Sequence, residues 1–251
     1  MDSLKIYGVK IDNTSLDKAS KTMAEYLNGD KVKTIFTPNT EILMAAKKDN
    51  NLIDLINRAD LVIPDGIGLI YASRIKKKPL RERVTGYDLS MRILDLANEK
   101  GYSIYLLGGK EGIARQAGLN IKKNYPNIIL SGYHNGYFKG SHNDNRDSEE
   151  ELNIIKDINS VKPDIIFVGL GFPKQEIWID QNKERVKTRI IIGNGGVMDI
   201  ISGNSKRAPE TFQKLGLEWL YRLVNDPTRL RRQLALPRFM IEVIFKKNII
   251  E

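Results

Sequence analysis

The 251-residue chain reads as α/β: a Rossmann-like, mostly parallel sheet with helices on both faces, followed by a helical basic appendage. Three observations predict this. Short aliphatic runs alternate with segments of helical periodicity, which is the pattern of βα units. One run, Ile165-Ile166-Phe167-Val168, is apolar on both alternating faces, as a strand covered on both sides must be. Glycines and polar residues collect just after the runs, and the strand ends of a parallel sheet share one edge.

In order, residues 6–11 predict an opening strand or hairpin, and residues 15–27 a helix with Leu16, Ala19, Met23 and Leu27 on one face. A strand over 33–36 stops at Thr37-Pro38-Asn39. One helix is expected from Thr40 to Ile56, burying Ile42, Leu43, Ala46, Leu52 and Leu55. Residues 60–63 form a strand ended by Pro64, which has no amide to donate, and Gly66 turns the chain into a helix reaching residue 76. Asp65 is thereby presented at a strand's C-terminal end. An Asp there often only caps the following helix. Arg83 follows in a basic loop beside Thr85-Gly86 and a helix start near Asp88, a guanidinium placed for an anion. Gly101 closes that helix.

The strand over 103–107 opens into Gly108-Gly109, neither a Walker A loop nor a complete dinucleotide fingerprint. A strand over 128–130 precedes a polar stretch, residues 139–151, expected to be an exposed loop, and a helix from Leu152 to Val161. Asp144 and Asp147 in that loop are weak candidates for a divalent ion. Residues 163–171 end in Gly169-Leu170-Gly171, with Pro173 suited to a helix start. Residues 189–192 open into Gly193-Asn194-Gly195-Gly196 and Asp199. A boundary at Ser202-Gly203 divides an α/β domain, residues 1–203, from an appendage, residues 204–251.

Composition excludes several classes. There is no cysteine, hence no disulfide framework or thiolate site. The two histidines, His134 and His142, lack helical pairing, and there is no DxD triplet to hold a metal-bound sugar nucleotide. No signal core or bilayer-length apolar run is present, so a cytoplasmic protein is expected. The net charge of +9 asks for an anionic partner. Residues 206–251 hold ten Lys/Arg and five Asp/Glu, so more than half the excess lies in the appendage. There, leucines and Trp219, Phe239 and Phe245 interleave with Arg222, Arg229, Arg231 and Arg232, and Lys246-Lys247 lies near the end. Such basic amphipathic helices suit an anionic membrane surface, and equally the inside of a helical cover.

Several stretches together carry a resemblance: Phe36-Thr37-Pro38-Asn39, Ala59-Asp60-Leu61-Val62-Ile63-Pro64-Asp65-Gly66, Arg83-Val84-Thr85-Gly86 and Leu106-Leu107-Gly108-Gly109. Val168-Gly169-Leu170-Gly171-Phe172-Pro173-Lys174-Gln175-Glu176, Lys206-Arg207-Ala208-Pro209 and Gly216-Leu217-Glu218-Trp219-Leu220-Tyr221-Arg222-Leu223 complete the set. In this order, over nearly the whole chain, they resemble the WecG/TagA/CpsF family of bacterial glycosyltransferases. The similarity is greatest to members acting in wall teichoic acid synthesis. Those move N-acetylmannosamine from UDP-N-acetylmannosamine to undecaprenyl-diphosphate-linked N-acetylglucosamine, with inversion and without a metal or other cofactor.

The resemblance implies that Asp65 is the base, that Thr37 and Asn39 hold sugar hydroxyls, and that Arg83, with Thr85 beside it, meets phosphate. It places Gln175 and Asp199 at the nucleotide pocket, and Gly108, Gly109, Gly169, Gly171, Gly195 and Gly196 where the donor approaches backbone amides. Arg222, Arg229 and Arg232 would face a diphosphate, and the appendage would rest on the inner face of the cell membrane or cover the site. A homo-oligomer is compatible with the family. A related transfer from UDP-N-acetylmannosaminuronic acid stays open as the alternative donor. Two other classes fit less well. A nicotinamide-dependent oxidoreductase wants the full glycine fingerprint, and a nucleic-acid-binding module leaves the polar strand ends without a role, so no nucleic acid is expected.

Overall fold

The computed structural model describes residues 2–246 and 248–251, and of Arg231 the backbone alone. Lys247 and the Arg231 side chain, both counted in the basic tail, lie outside the described residues.

The chain opens with a hairpin, β1 (Ser3–Ile6) and β2 (Val9–Asp12). Its turn residues Tyr7 and Gly8 have φ of 51° and 82°, the left-handed pair that two-residue hairpins favour. Helix α1 (Leu16–Leu27) starts on Ser15, whose side chain accepts from the Lys18 amide. After β3 (Lys33–Phe36), the single helix expected over 40–56 is two, α2 (Thr40–Ala46) and α3 (Asn50–Asn57). The Lys48 and Asp49 amides turn back to the Ala45 and Ala46 carbonyls, and the Asp49 side chain restarts the helix by capping Asn51. Strand β4 (Leu61–Val62) is shorter than the 60–63 run. Asp60 folds its carboxylate onto the Thr34 amide, 2.9 Å away, and Pro64 ends the ladder.

Helices α4 (Ile67–Ile75) and α5 (Gly86–Lys100) follow, and Gly101, at φ 70°, closes the second. Next come β5 (Ser103–Gly108), α6 (Ile113–Asn124) and β6 (Ile129–His134). Strand β6 runs past the expected 128–130, because edge residues Gly132, Tyr133 and His134 pair with β5 without an apolar run to signal it. Helix α7 (Glu149–Val161), β7 (Ile165–Gly169), α8 (Lys174–Asn182), β8 (Ile190–Gly193) and α9 (Val197–Ser202) complete the α/β part. The tail forms α10 (Glu210–Lys214), α11 (Glu218–Asn225), α12 (Leu230–Gln233) and α13 (Ala235–Phe245).

Six strands make one parallel sheet in the order β4-β3-β8-β7-β5-β6. Alternation along each strand feeds two cores. Ile35, Ile104, Leu106, Ile165, Phe167, Ile190 and Ile192 pack with α1, α5 and α6. Phe36, Tyr105, Leu107, Ile166, Val168 and Ile191 pack with the hairpin, α2, α4, α8 and α13.

Residues 139–151 are exposed as expected at Lys139, over 144–147 and at Glu149 and Glu150, but Gly140, Ser141, His142 and Glu151 are buried. Glu151 is fully buried and accepts from the Ser141 amide (2.9 Å), the Ser141 hydroxyl (2.7 Å) and Asn182 (3.1 Å). Its buried charge is compensated by these donors, so a polar segment closes on itself where composition suggested solvent. Asp147, a weak ion candidate, pairs instead with Arg185 at 2.6 Å.

The tail also returns to the body. Phe239, one of the apolar tail residues read as suiting a membrane surface or the inside of a cover, is fully buried in the core against Tyr7, whereas Phe245 is 80% exposed. Residues 249–251 add a short antiparallel segment to β1: the Tyr7 amide donates to Ile249 O (3.0 Å) and the Glu251 amide to Lys5 O (2.9 Å). Glu242 bonds Lys47 (2.6 Å) and Tyr7 (2.7 Å), chiefly the lysine holding its carboxyl down to about 2. A folded pKa below the unfolded value contributes stability above pH 4.5 that is lost as pH falls through about 2. Glu242→Gln should therefore lose roughly 1–2 kcal/mol at pH 7, allowing for solvent screening. Its deficit in urea unfolding should shrink towards wild type as the pH is lowered to 3 and below.

Among the described residues, no helix is long and apolar enough to cross a membrane.

Candidate active site

Because the sheet is parallel, the C-terminal ends of β4, β3, β8, β7 and β5 open on one edge. The sequence places its polar turns there. Thr37 is buried, and its hydroxyl donates to Gly193 O at 3.3 Å, tying the end of β3 to that of β8. The Asp65 amide donates to Pro38 O at 3.3 Å and the Val84 amide to Pro64 O at 3.1 Å. These bonds hold the Thr37, Asp65 and Arg83 loops side by side. Gly66 allows a close approach here, since a Cβ would lie 3.2 Å from the Thr40 amide nitrogen. Asn39 caps α2 through its Oδ1, accepting from Ile42 at 3.1 Å, so its amide nitrogen is the part left to meet a ligand.

Asp65 does not cap α4; that position belongs to Gly66, which makes no side-chain cap bond. The carboxyl instead sits in the crevice, and burial raises its pKa to about 6 against the attraction of Arg222 and Arg83 and the Gly86 amide. Glu218 adds to the rise. An ordinary aspartate is too weak a base for a sugar hydroxyl; this one is stronger by environment.

Around it lies a charge cluster. Arg83 donates to Glu218 at 2.7 Å, and Arg222 lies 3.8 Å from the same carboxylate. Arg207 bonds Asp88 at 2.7 Å and stacks over Tyr87. Thr85 caps α5, its hydroxyl accepting from the Asp88 amide and donating to the Asp88 carboxylate, so its side chain is spent on the helix start.

The glycine turns follow β5, β7 and β8 at the same edge of the sheet. The Gly109 amide donates to Gly169 O (3.1 Å), and the Gly195 amide to Gln175 Oε1 (3.0 Å). Gln175 is buried and also donates to Glu176 at 2.9 Å, and burial raises that carboxyl to about 7. Gly171 and Gly196 lie on the turns after β7 and β8, and Asp199 in the first turn of α9 accepts from Asn204. Arg229 and Arg232 are not gathered around Asp65. Arg229 pairs with Asp226 on the tail at 3.0 Å, and Arg232 with Glu41 at 2.6 Å, in the first turn of α2 at the rim.

A chain with a parallel sheet, a raised carboxyl and flanking arginines at its ligand edge matches the glycosyl transferase WecG/TagA/CpsF family over residues 4–250. It belongs to that family. A relative from Bacillus subtilis strain 168 is 33% identical over 97% of this chain and 92% of its own length. One from Staphylococcus aureus strain MRSA252 is 34% identical over 98% and 94%. Both are named N-acetylglucosaminyldiphosphoundecaprenol N-acetyl-beta-D-mannosaminyltransferase.

In this glycosyltransferase, sequence reasoning passed over Glu218, Arg207, Asp88 and Glu176 as site residues. Glu218 had a signal: it is the sole acid among residues 211–225, beside Arg222 one turn on.

Proposed function

We propose that this glycosyltransferase is an inverting N-acetylmannosaminyltransferase. It moves the sugar from UDP-N-acetylmannosamine to the 4-hydroxyl of undecaprenyl-diphosphate-linked N-acetylglucosamine, the linkage-unit step of wall teichoic acid synthesis. The observation carrying the reading is Asp65, a crevice carboxyl raised to about 6 between two arginines. At neutral pH it is ionised yet basic enough to accept a proton. The acceptor oxygen attacks the donor's anomeric carbon as its proton passes to Asp65. The bond from that carbon to the diphosphate breaks, and its electron pair leaves on UDP. Arg83 and Arg222 offset the charge of the departing diphosphate. The reaction is metal-independent on this reading, since the guanidiniums and helix N-termini supply that offset.

The relatives' names support this acceptor and a β-linked product. Leu230, Ile241, Ile244 and Phe245 are exposed on a basic tail, which suits peripheral attachment to the membrane's inner face, where a lipid acceptor presents its diphosphate.

The test is the mass of the lipid product formed in EDTA from UDP-N-acetylmannosamine, its uronic counterpart or UDP-N-acetylglucosamine. A neutral disaccharide from the first alone is expected. Product only from the uronic donor, or none without a metal, contradicts the reading.

A further inference from the structure

Glu218 is left without a role by this reaction, although three cations meet on it. Its side chain is only 12% exposed at the start of α11. Oε2 accepts from Arg83 at 2.7 Å, while Oε1 lies 3.8 Å from Arg222 and 3.9 Å from Arg207. Arg83 comes from the loop before α5, Arg207 from the segment before α10, and Arg222 from the next turn of α11. One tail carboxylate thus ties together three parts of the chain. With Asp88 on Arg207 and Asp65 nearby, three positive and three negative groups balance.

Without Glu218, Arg83 and Arg222 would lose the carboxylate between them, and Arg207 would keep Asp88. Asp65 is an anion on which both Arg83 and Arg222 already bear. A carboxylate paired to a guanidinium is a poorer base. Among the described residues, no cation is within ion-pair distance of Asp65, and Arg83 is turned to Glu218 instead.

We propose that Glu218 is a positioning residue: its carboxylate docks the tail helix and holds Arg83 and Arg222 beside Asp65 without letting them pair with it. The proposal rests on Asp65 being the base, and it adds the device that keeps the base available. Arg83 gives one N–H to Glu218 and retains others for phosphate. The groups acting on Asp65 are Arg222 and Glu218 from α11, with Arg83 and the Gly86 amide from the approach to α5; Arg207 and Asp88 stand behind them.

The test is the carboxyl titration of Asp65, followed by carbon NMR and assigned against Asp65→Asn, in wild type, Glu218→Gln and Glu218→Asp. Removing the charge should lower the Asp65 midpoint by about one unit. The acidic limb of kcat/KM should move down with it, and the plateau rate should fall roughly tenfold as the base weakens. Glu218→Asp, which keeps the charge one methylene further back, should give an intermediate shift. A titration unchanged in Glu218→Gln overturns the proposal, and should that variant not fold, an unchanged Glu218→Asp does so. A titration that moves while the rate profile stays still upholds the positioning and defeats Asp65 as base.

Discussion

Asp65→Asn should nearly abolish turnover while making the protein more stable. The substitution keeps the shape and removes the proton acceptor, and loss of a general base costs roughly 10²–10⁴ in kcat. The stability gain follows from the raised pKa. A carboxyl at about 6 when folded and 3.8 when unfolded contributes nothing below pH 3.8, where both states are protonated, and costs stability increasingly from there to pH 6. Above pH 6 its ionised form opposes folding, by as much as about 3 kcal/mol for a shift of this size. Neutral Asn removes that cost. At pH 7.5 the variant should melt several degrees above wild type, and the difference should shrink as the pH falls through 6 and be gone below 3.8. An inactive variant that melts lower would mean Asp65 holds the loops together instead.

Gly108→Ala should be the most damaging of the glycine substitutions at the strand ends. Gly108 has φ 141°, and a Cβ there would lie 2.4 Å from Gly169 O, a backbone atom that cannot swing aside. That same oxygen accepts the Gly109 amide. Backbone strain and overpacking together cost about 2–4 kcal/mol, a drop in Tm on the order of 10 °C. Gly203→Ala is the control: φ is 84°, but nothing lies within 4 Å of its added carbon. It should cost about 1 kcal/mol from conformation alone. Thermal melting of the two variants side by side measures the contrast. Equal melting points would remove the role given to the contact between Gly108 and Gly169.

That contact also shows how far the sequence could be read. Glycines after aliphatic runs located the strand ends, because only a parallel sheet collects them on one edge. They could not show that Gly108 is glycine for the sake of Gly169, which requires knowing that β5 and β7 are neighbours. Asp65 was legible for a similar local reason: Pro64 and Gly66 force the strand to stop and turn. Its raised pKa was not, since it is a balance of burial against charges, among them Arg222 and Glu218 from more than 150 residues away. Helices α2 and α3 merged in the reading because their apolar positions continue one periodicity, and only the Asp49 cap divides them. Glu151 looked like solvent-facing charge, and its partners Ser141 and Asn182 flank it from different segments. The pairing of residues 249–251 with β1 had no local signal, because three residues cannot show a period.

The central claim is that Asp65 takes the acceptor's proton from within this crevice. The most direct measurement is the pH dependence of acceptor-dependent UDP release by wild type between pH 4.5 and 8.5, in EDTA, with Asp65→Asn alongside. kcat/KM should rise through a single limb near pH 6, and the variant should show no such limb at a rate at least a hundredfold lower. A wild-type profile flat through pH 6, or an Asp65→Asn rate within a few-fold of wild type, would contradict it.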